Sequence, residues 1–281
     1  MPRRARPARV LVVDDDRLTR HMARSVLTRA GFEVRVARDG AEALDRLRSR
    51  TFDLMLLDVW MPRIDGLAVL DRMKRVKHRP TIVMLTSDDA PETLLRAIRQ
   101  QAHQVVHKPI EPAALVELVR TALAAGPQVP IEVISARPNW VELDVPCTRE
   151  IADRLQGVMA HLEADLPEEV RESVGYAFRE LLLNAVEWGG KLDPRRKVRI
   201  SYVRARRMLL YRIADPGPGF TMEGLNHAAI AHPDDPIEHM NVREERGLRP
   251  GGFGILMVRA KVDELIYNEK QNEVMFVKYL D

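Results

Sequence analysis

Three acids and one lysine, each closing an apolar run, are the side chains of this sequence best placed for chemistry. Residues 10–16 read VLVVDDD, residues 56–62 read LLDVWMP, and residues 104–109 read QVVHKP. Short, continuous apolar runs of this kind read as buried parallel strands. Open α/β sheets gather their functional groups beyond the carboxyl ends of such strands. Asp14, Asp15 and Asp58 are therefore expected to converge at one sheet edge, with Lys108 facing them. Carboxylates packed this closely repel one another unless a divalent cation neutralises them, and hard oxygen donors suit Mg²⁺. A lysine beside an aspartate suits a phosphoryl group, so this edge reads as a device for phosphorylating Asp58. Asp16 reads instead as a helix N-cap.

A second set of residues lies downstream. In RELLLNAVEWG, Glu180 and Asn184 stand four apart and share a helix face, where an acid and an amide hold a water and a metal together. In DPGPG, Asp215 ends a strand, and Gly217 and Gly219 let the backbone turn closely against a ligand. In RPGGFGI, Gly251, Gly252 and Gly254 open a helix and present free amides to phosphate. One glycine cluster is commonly a plain turn; three motifs in this order carry far more weight.

The elements that must position these residues follow from periodicity. Strands are expected over 9–13, 33–37, 52–57, 81–86 and 103–106. Helices are expected over 17–30, 40–50, 65–76, 90–100 and 111–124, the first closed by Gly31. Five such βα units predict an α/β doubly wound, five-stranded parallel sheet with right-handed crossovers. Gly126, Pro127 and Pro130 cannot continue a helix and mark a short, semi-rigid linker. Beyond it, strands are expected over 131–135, 140–145, 197–204, 208–214, 264–268 and 273–279. Helices over 148–166, 168–188 and 252–262 complete an α+β sandwich, with helices on one face of a mixed sheet. The domain limits are 8–125 and 140–281, with 126–139 as linker. No long heptad segment provides a coiled-coil dimeriser.

Bulk properties agree. A length of 281 residues favours two domains. The apolar and charged fractions, 46% and 30%, are those of a soluble globular protein. No apolar stretch reaches membrane-span length, and the N-terminus lacks a secretory core, so no membrane association is expected. The single cysteine, Cys147, fits a reducing cytoplasm. A net charge of +3 says little about partners. Arg195, Arg196, Lys197, Arg199, Arg204, Arg206 and Arg207 read as solvated strand edges and turns, and PRRARPAR as a frayed tail. Direct nucleic-acid binding is disfavoured. The sequence does not decide between monomer and homodimer.

Residues 8–125 resemble a response-regulator receiver domain (CheY-like), on the strength of VVDDD, LLDVWMPRIDG, VMLTS and HKP. The resemblance implies that Asp14 and Asp15 bind Mg²⁺, Asp15 directly, and that Asp58 is the phospho-acceptor. It also implies that the Trp60 backbone carbonyl completes the metal's protein ligands. Thr86 would hydrogen-bond the phosphoryl oxygen, and Lys108 would neutralise it ahead of a cis Lys108–Pro109 bond. A cognate histidine kinase is the implied phosphodonor. One departure stands out. Val105 occupies the position, three before the lysine, where the family places Tyr or Phe. The Thr86 half of the family's switch is present without its aromatic partner. Output is therefore expected to use a different rearrangement, on the surface of the fourth helix and fifth strand around His103.

Residues 140–281 resemble the GHKL (Bergerat-fold) ATPases. This implies Mg-ATP, with Asn184 on the metal and Glu180 as general base. Asp215 would accept a hydrogen bond from the adenine amino group, Gly217 and Gly219 would pack by the base, and Gly251, Gly252 and Gly254 would wrap the triphosphate. Residues 220–249, with HPDDP inside them and no clear periodicity, correspond to a lid, in which Arg243, Arg246 and Arg249 are candidates for the γ-phosphate. His161 lies too close to Asn184 for the separate hairpin of a sensor histidine kinase. The compact lead-in VELDVPCTREIADRL and the ending VDELIYNEKQNEVMFVKYL resemble the anti-sigma-factor serine/threonine kinases. Those enzymes phosphorylate an antagonist protein and sequester a sigma factor in exchange, which makes an anti-sigma-factor antagonist and/or a sigma factor the expected partners. Other readings stay open: a nucleotide-binding module that sequesters a partner without kinase turnover, an atypical histidine-kinase-related ATPase, or phosphatase-type regulation of a separate catalytic partner. Glu180 favours an enzyme, because ATP binding alone needs no base there.

Overall fold

A computed structural model describes residues 6–73, 76, 78–87, 90–124, 130–137, 139–220 and 253–280. The chain divides into two compact units, residues 1–129 and 130–281.

The first unit alternates β1 (Arg9–Val13), α1 (Arg17–Arg29), β2 (Glu33–Ala37), α2 (Gly40–Ser49), β3 (Leu54–Asp58), α3 (Gly66–Met73), β4 (Thr81–Thr86), α4 (Pro91–Arg99), β5 (Gln104–His107) and α5 (Pro112–Ala124). The strands pair in parallel in the order β2-β1-β3-β4-β5. Strand alternation sends successive side chains to opposite faces. Leu11, Val13, Met55 and Leu57 pack with Leu67 and Leu70 of α3 on one face. Val10, Val12, Leu54 and Leu56 pack with Ala23 and Leu27 of α1 and Leu115 and Val119 of α5 on the other. Each fully buried Leu or Val contributes about 1.5–3 kcal/mol over exposure, which is why the central strands read as unbroken apolar runs. Asp16 caps α1 by accepting from the Thr19 amide at 2.7 Å, and Gly31 takes the left-handed conformation at φ 94 just beyond its end. β3 starts at Leu54, two residues later than expected, and the Asp53 carboxylate before it accepts the Arg9 amide at 2.7 Å.

The second unit contains β6 (Glu132–Arg137), β7 (Trp140–Pro146), α6 (Arg149–Leu162), α7 (Glu168–Asn184), a π-helical turn (Ala185–Gly189), β8 (Lys197–Ala205), β9 (Met208–Ala214), α8 (Gly254–Lys261), β10 (Glu264–Tyr267) and β11 (Glu273–Tyr279). The six strands pair in the order β10-β11-β9-β8-β7-β6, and every pairing is antiparallel. This corrects the expected mixed sheet. Periodicity identifies strands but not their direction, and β6–β7 and β8–β9 are hairpins that force the antiparallel choice. β6, inside the stretch expected as linker, is an edge strand of this sheet.

One face of the second sheet is apolar and meets the helices: Leu143, Ile200, Tyr202, Tyr211 and Phe276 are buried, and α7 packs against β9, β11, α6 and α8. The other face carries cross-strand ion pairs, Arg199–Asp144 at 2.8 Å and Arg212–Glu273 at 2.6 Å. Lys197 pairs with Glu132, Arg195 with Asp193 and Arg204 with Asp165. Most of the basic cluster from 195 to 207 is thus matched by local acids. In the core, Tyr211 stacks on Phe276 at 4.8 Å and meets Tyr202 edge-on at 5.1 Å. The Tyr211 hydroxyl donates to Glu163, the residue that ends α6.

Candidate functional site

The carboxyl end of the first sheet brings the predicted acids together. β1 delivers Asp14, fully buried; β3 delivers Asp58, 5% exposed; β4 ends on Thr86, 1% exposed; Asp15 is exposed. One carboxylate oxygen each from Asp14, Asp15 and Asp58 lies within 4.8 Å of the others. Lys108 reaches in from just beyond β5, with Nζ 2.7 Å from Asp14 Oδ2 and 2.9 Å from Asp58 Oδ1. Its amide donates to the Thr86 carbonyl at 2.7 Å, and the Lys108–Pro109 bond is cis.

The electrostatics explain the arrangement. Burial pushes the Asp58 carboxyl above the usual range, and the charges of Asp14 and Asp15 push the same way, against the lowering effect of Lys108. Burial alone would pull the Lys108 ammonium down, but the hydrogen bonds and charges of Asp14 and Asp58 outweigh it and hold Lys108 above its usual range. One lysine thus serves two of three crowded carboxylates. A donor set of hard oxygens with residual negative charge fits Mg²⁺, which prefers carboxylate ligands.

The loop after β3 is sterically fixed. A Cβ on Gly66 would lie 2.1 Å from the Asp58 carbonyl oxygen, so only glycine opens α3 there. The Val59 amide donates to Leu85 O and the Gly66 amide to Val59 O, both at 2.9 Å. Trp60, between them, is 56% exposed. Val105 is half-buried and packs against the core, so the residue replacing the expected aromatic already faces inward.

In the second unit, Glu180 and Asn184 occupy the last turns of α7. A Cβ on Gly254 would lie 2.5 Å from Glu180 Oε2, so the N-terminus of α8 abuts this carboxylate. The helix then widens into the π-turn, closed by the Gly190 amide on Ala185 O at 2.8 Å. Such turns re-aim the chain beyond them and are frequent at functional sites. Here the turn places Gly189 against Asp215: a Cβ on Gly189 would lie 2.0 Å from Asp215 Oδ1. The Gly217 amide donates to the same oxygen at 2.7 Å. Burial raises the Asp215 carboxyl, offset in part by that amide and by Arg196.

The DPGPG turn is clamped from outside. The Asp215 amide donates to Asn272 O at 2.9 Å, while Asn272 Nδ2 donates to Gly217 O at 3.2 Å and Asp215 O at 3.4 Å. Arg196 donates to Pro216 O. Gly219 sits at φ 85, and a Cβ there would overlap Lys270 O. Gly189 and Asn272 carry no chemical motif in the sequence, and Arg196, expected as a solvated turn cation, instead holds the Pro216 carbonyl. The Gly189–Gly190 pair was a visible signal, whereas Asn272 joins the site only through the tip of the β10–β11 hairpin. Gly251, Gly252, Arg243, Arg246, Arg249 and all of the expected lid but Phe220 lie outside the described residues. His161, in the last turn of α6, bonds the Gly157 carbonyl through Nδ1 at 3.0 Å.

Comparison with known proteins supplies an independent line. The family model for the response regulator receiver domain matches residues 10–120, and that for the histidine kinase-like ATPase domain matches residues 141–278. The chain is similar to the DNA-binding response regulator MtrA of Mycolicibacterium paratuberculosis, 31% identical over 79% of this chain and 97% of the relative. It is likewise similar to MtrA of Mycolicibacterium smegmatis, 32% identical over 79% of this chain and 96% of the relative. Among solved structures it is similar to chemotaxis protein CheY4 of Vibrio cholerae, 33% identical over 41% of this chain and 98% of that chain, with a TM-score of 0.39. The chain belongs to the response-regulator family of two-component systems, and its second unit is a histidine kinase-like ATPase domain.

Proposed function

We propose that phosphorylation of Asp58 controls an ATP-dependent serine/threonine kinase of the anti-sigma-factor type in the second unit. In the receiver, Asp58 attacks the phosphorus of a phosphodonor, a cognate histidine kinase in the cell, and the donor's bond to phosphorus breaks. Asp14, Asp15, Asp58 and the Trp60 carbonyl would hold Mg²⁺, which when bound supplies positive charge against the phosphoryl oxygens. Lys108 stands ready to move from its carboxylate partners to the new phosphoryl group, and the buried Thr86 hydroxyl to bond it.

The observation that carries the kinase reading is the placement of Glu180. It lies one helical turn before Asn184, its carboxylate against the N-terminus of α8, where free amides favour phosphate. In this reading Asn184 holds the nucleotide's metal and Asp215 receives the adenine amino group. Gly217, Gly219 and Gly254, with Gly251 and Gly252, line the nucleotide. Glu180 takes the proton from a protein hydroxyl as that oxygen attacks the γ-phosphate and ADP leaves. The expected substrate is an anti-sigma-factor antagonist, exchanged against a sigma factor. The DNA binding of the MtrA relatives is not carried over, since an ATPase-type sheet occupies the second half of this chain.

The test is incubation of the purified chain with γ-labelled ATP and candidate antagonist proteins. Label on a substrate Ser or Thr, lost in Glu180→Ala while ATP still binds, supports the kinase. Tight ATP binding by the wild type without transfer to any candidate would replace it with a partner-sequestering module.

A further inference from the structure

The loop that follows Asp58 is anchored by a charge pair far apart in sequence. Arg63 sits in this loop at φ 71, a left-handed conformation that long L side chains rarely adopt. Its guanidinium pairs with Asp39 Oδ2. Asp39 is only 3% exposed and has two tasks, because its Oδ1 also accepts from the Glu42 amide at 2.9 Å and caps α2. That amide first, with Arg63 and Arg38 after it, outweighs burial and keeps the Asp39 carboxyl below its usual range, hence ionised.

Steric fit reinforces the pair. A Cβ on Gly40 would lie 2.5 Å from the Ile64 carbonyl oxygen, so the start of α2 and the loop meet backbone to backbone. At its far end the loop is pressed against Asp58 through Gly66. Residues 59–65 are therefore pinned on one side by Asp58 and Leu85 and on the other by Asp39. Trp60 lies between the two anchors.

We propose that the Asp39–Arg63 pair is a positioning element for the metal site, fixing the 59–65 loop so that the Trp60 carbonyl and the Asp58 carboxylate meet one Mg²⁺. This rests on the reading of Asp14, Asp15, Asp58 and Trp60 as its ligands. Mg²⁺ demands near-ideal octahedral geometry at short range, so a backbone donor is only as good as the loop that carries it. A loop released from Asp39 must be ordered again at each binding event, which weakens the metal without altering the chemistry once it is bound.

The test uses the full chain with Asp39→Asn, Arg63→Ala and the double variant. Asparagine is also a good N-cap, so Asp39→Asn removes the charge from Arg63 and leaves α2 capped. Mg²⁺ binding is titrated by calorimetry without nucleotide, with tryptophan fluorescence as a second readout, Trp60 being the first unit's single tryptophan beside Trp140 and Trp188 of the second. The Mg²⁺ Kd is expected to rise about tenfold in each single variant, the scale for losing a group that orients a metal ligand. The double variant should lose no more, because both changes remove the same pair. At saturating Mg²⁺, labelling by acetyl phosphate should return to about the wild-type rate, a split that a purely structural role does not produce. A Kd within about twofold of wild type in both folded single variants would overturn the proposal, as would slow labelling that saturating Mg²⁺ does not restore. Wild-type protein that binds no Mg²⁺ would instead sink the ligand assignment on which it stands.

Discussion

Asp58→Ala is expected to take up no phosphoryl group from acetyl phosphate, read as loss of the phosphate adduct in intact-mass spectra. Two other acids lie close by, and neither is a substitute. Asp14 is fully buried, with one oxygen on Lys108 at 2.7 Å and the other accepting the Asp16 amide at 2.8 Å. Asp15 is exposed, whereas Asp58 is buried and paired with the Lys108 ammonium at 2.9 Å. Lys108→Ala should leave a slow residual reaction, down by about 10²-fold, the scale of losing one preorganised electrostatic partner at developing charge. An adduct that persists undiminished in Asp58→Ala would place the acceptor elsewhere.

Glu163→Gln is expected to stabilise the second unit at alkaline pH and to leave it near wild type at pH 5. Glu163 is 2% exposed, and burial pushes its carboxyl up to about 7, with the Tyr211 hydrogen bond and the charges of Arg204 and Arg171 opposing the shift. The sign comes from linkage. An acid whose folded pKa lies above its unfolded value holds its proton more tightly in the folded state. Stability is therefore greatest below the ordinary value of 4.5 and is lost as pH rises towards 7, with little change above it. Between pH 5 and 8 the wild type should lose about 2–3 kcal/mol relative to Glu163→Gln. The glutamine keeps a carbonyl to accept the Tyr211 hydroxyl and does not titrate. Denaturant unfolding of both proteins at several pH values measures the difference. A difference independent of pH would mean that Glu163 is not the buried titrating group.

Much of the receiver was legible because its signals are local. Unbroken apolar runs mark strands covered on both faces, and each run ends on one of the side chains that meet at the sheet edge, Asp14, Asp58 or Lys108. Asp16 and Gly31 are cap residues, and the structure uses both as caps. The second unit was legible as strands and helices, with boundaries within a few residues, but strand direction was not, since alternation is the same in either sense. The hidden features depend on contacts across long sequence distances. The π-turn after Asn184 widens a helix by one residue without any break in its apolar pattern. The approach of Gly189 to Asp215 and the hold of Asn272 on the same turn exist only once the sheet has formed. Arg63 carries no mark in the sequence; its left-handed backbone and its buried partner Asp39 become visible only in three dimensions.

The most direct test of control by Asp58 is ATP-dependent transfer to an antagonist protein by the full chain, measured with and without acetyl phosphate and Mg²⁺. Wild type should change its transfer rate, or its affinity for the antagonist, by severalfold when Asp58 is phosphorylated, while Asp58→Ala should not respond. Identical rates and affinities in both proteins under both conditions would contradict the coupling of the receiver to the ATPase.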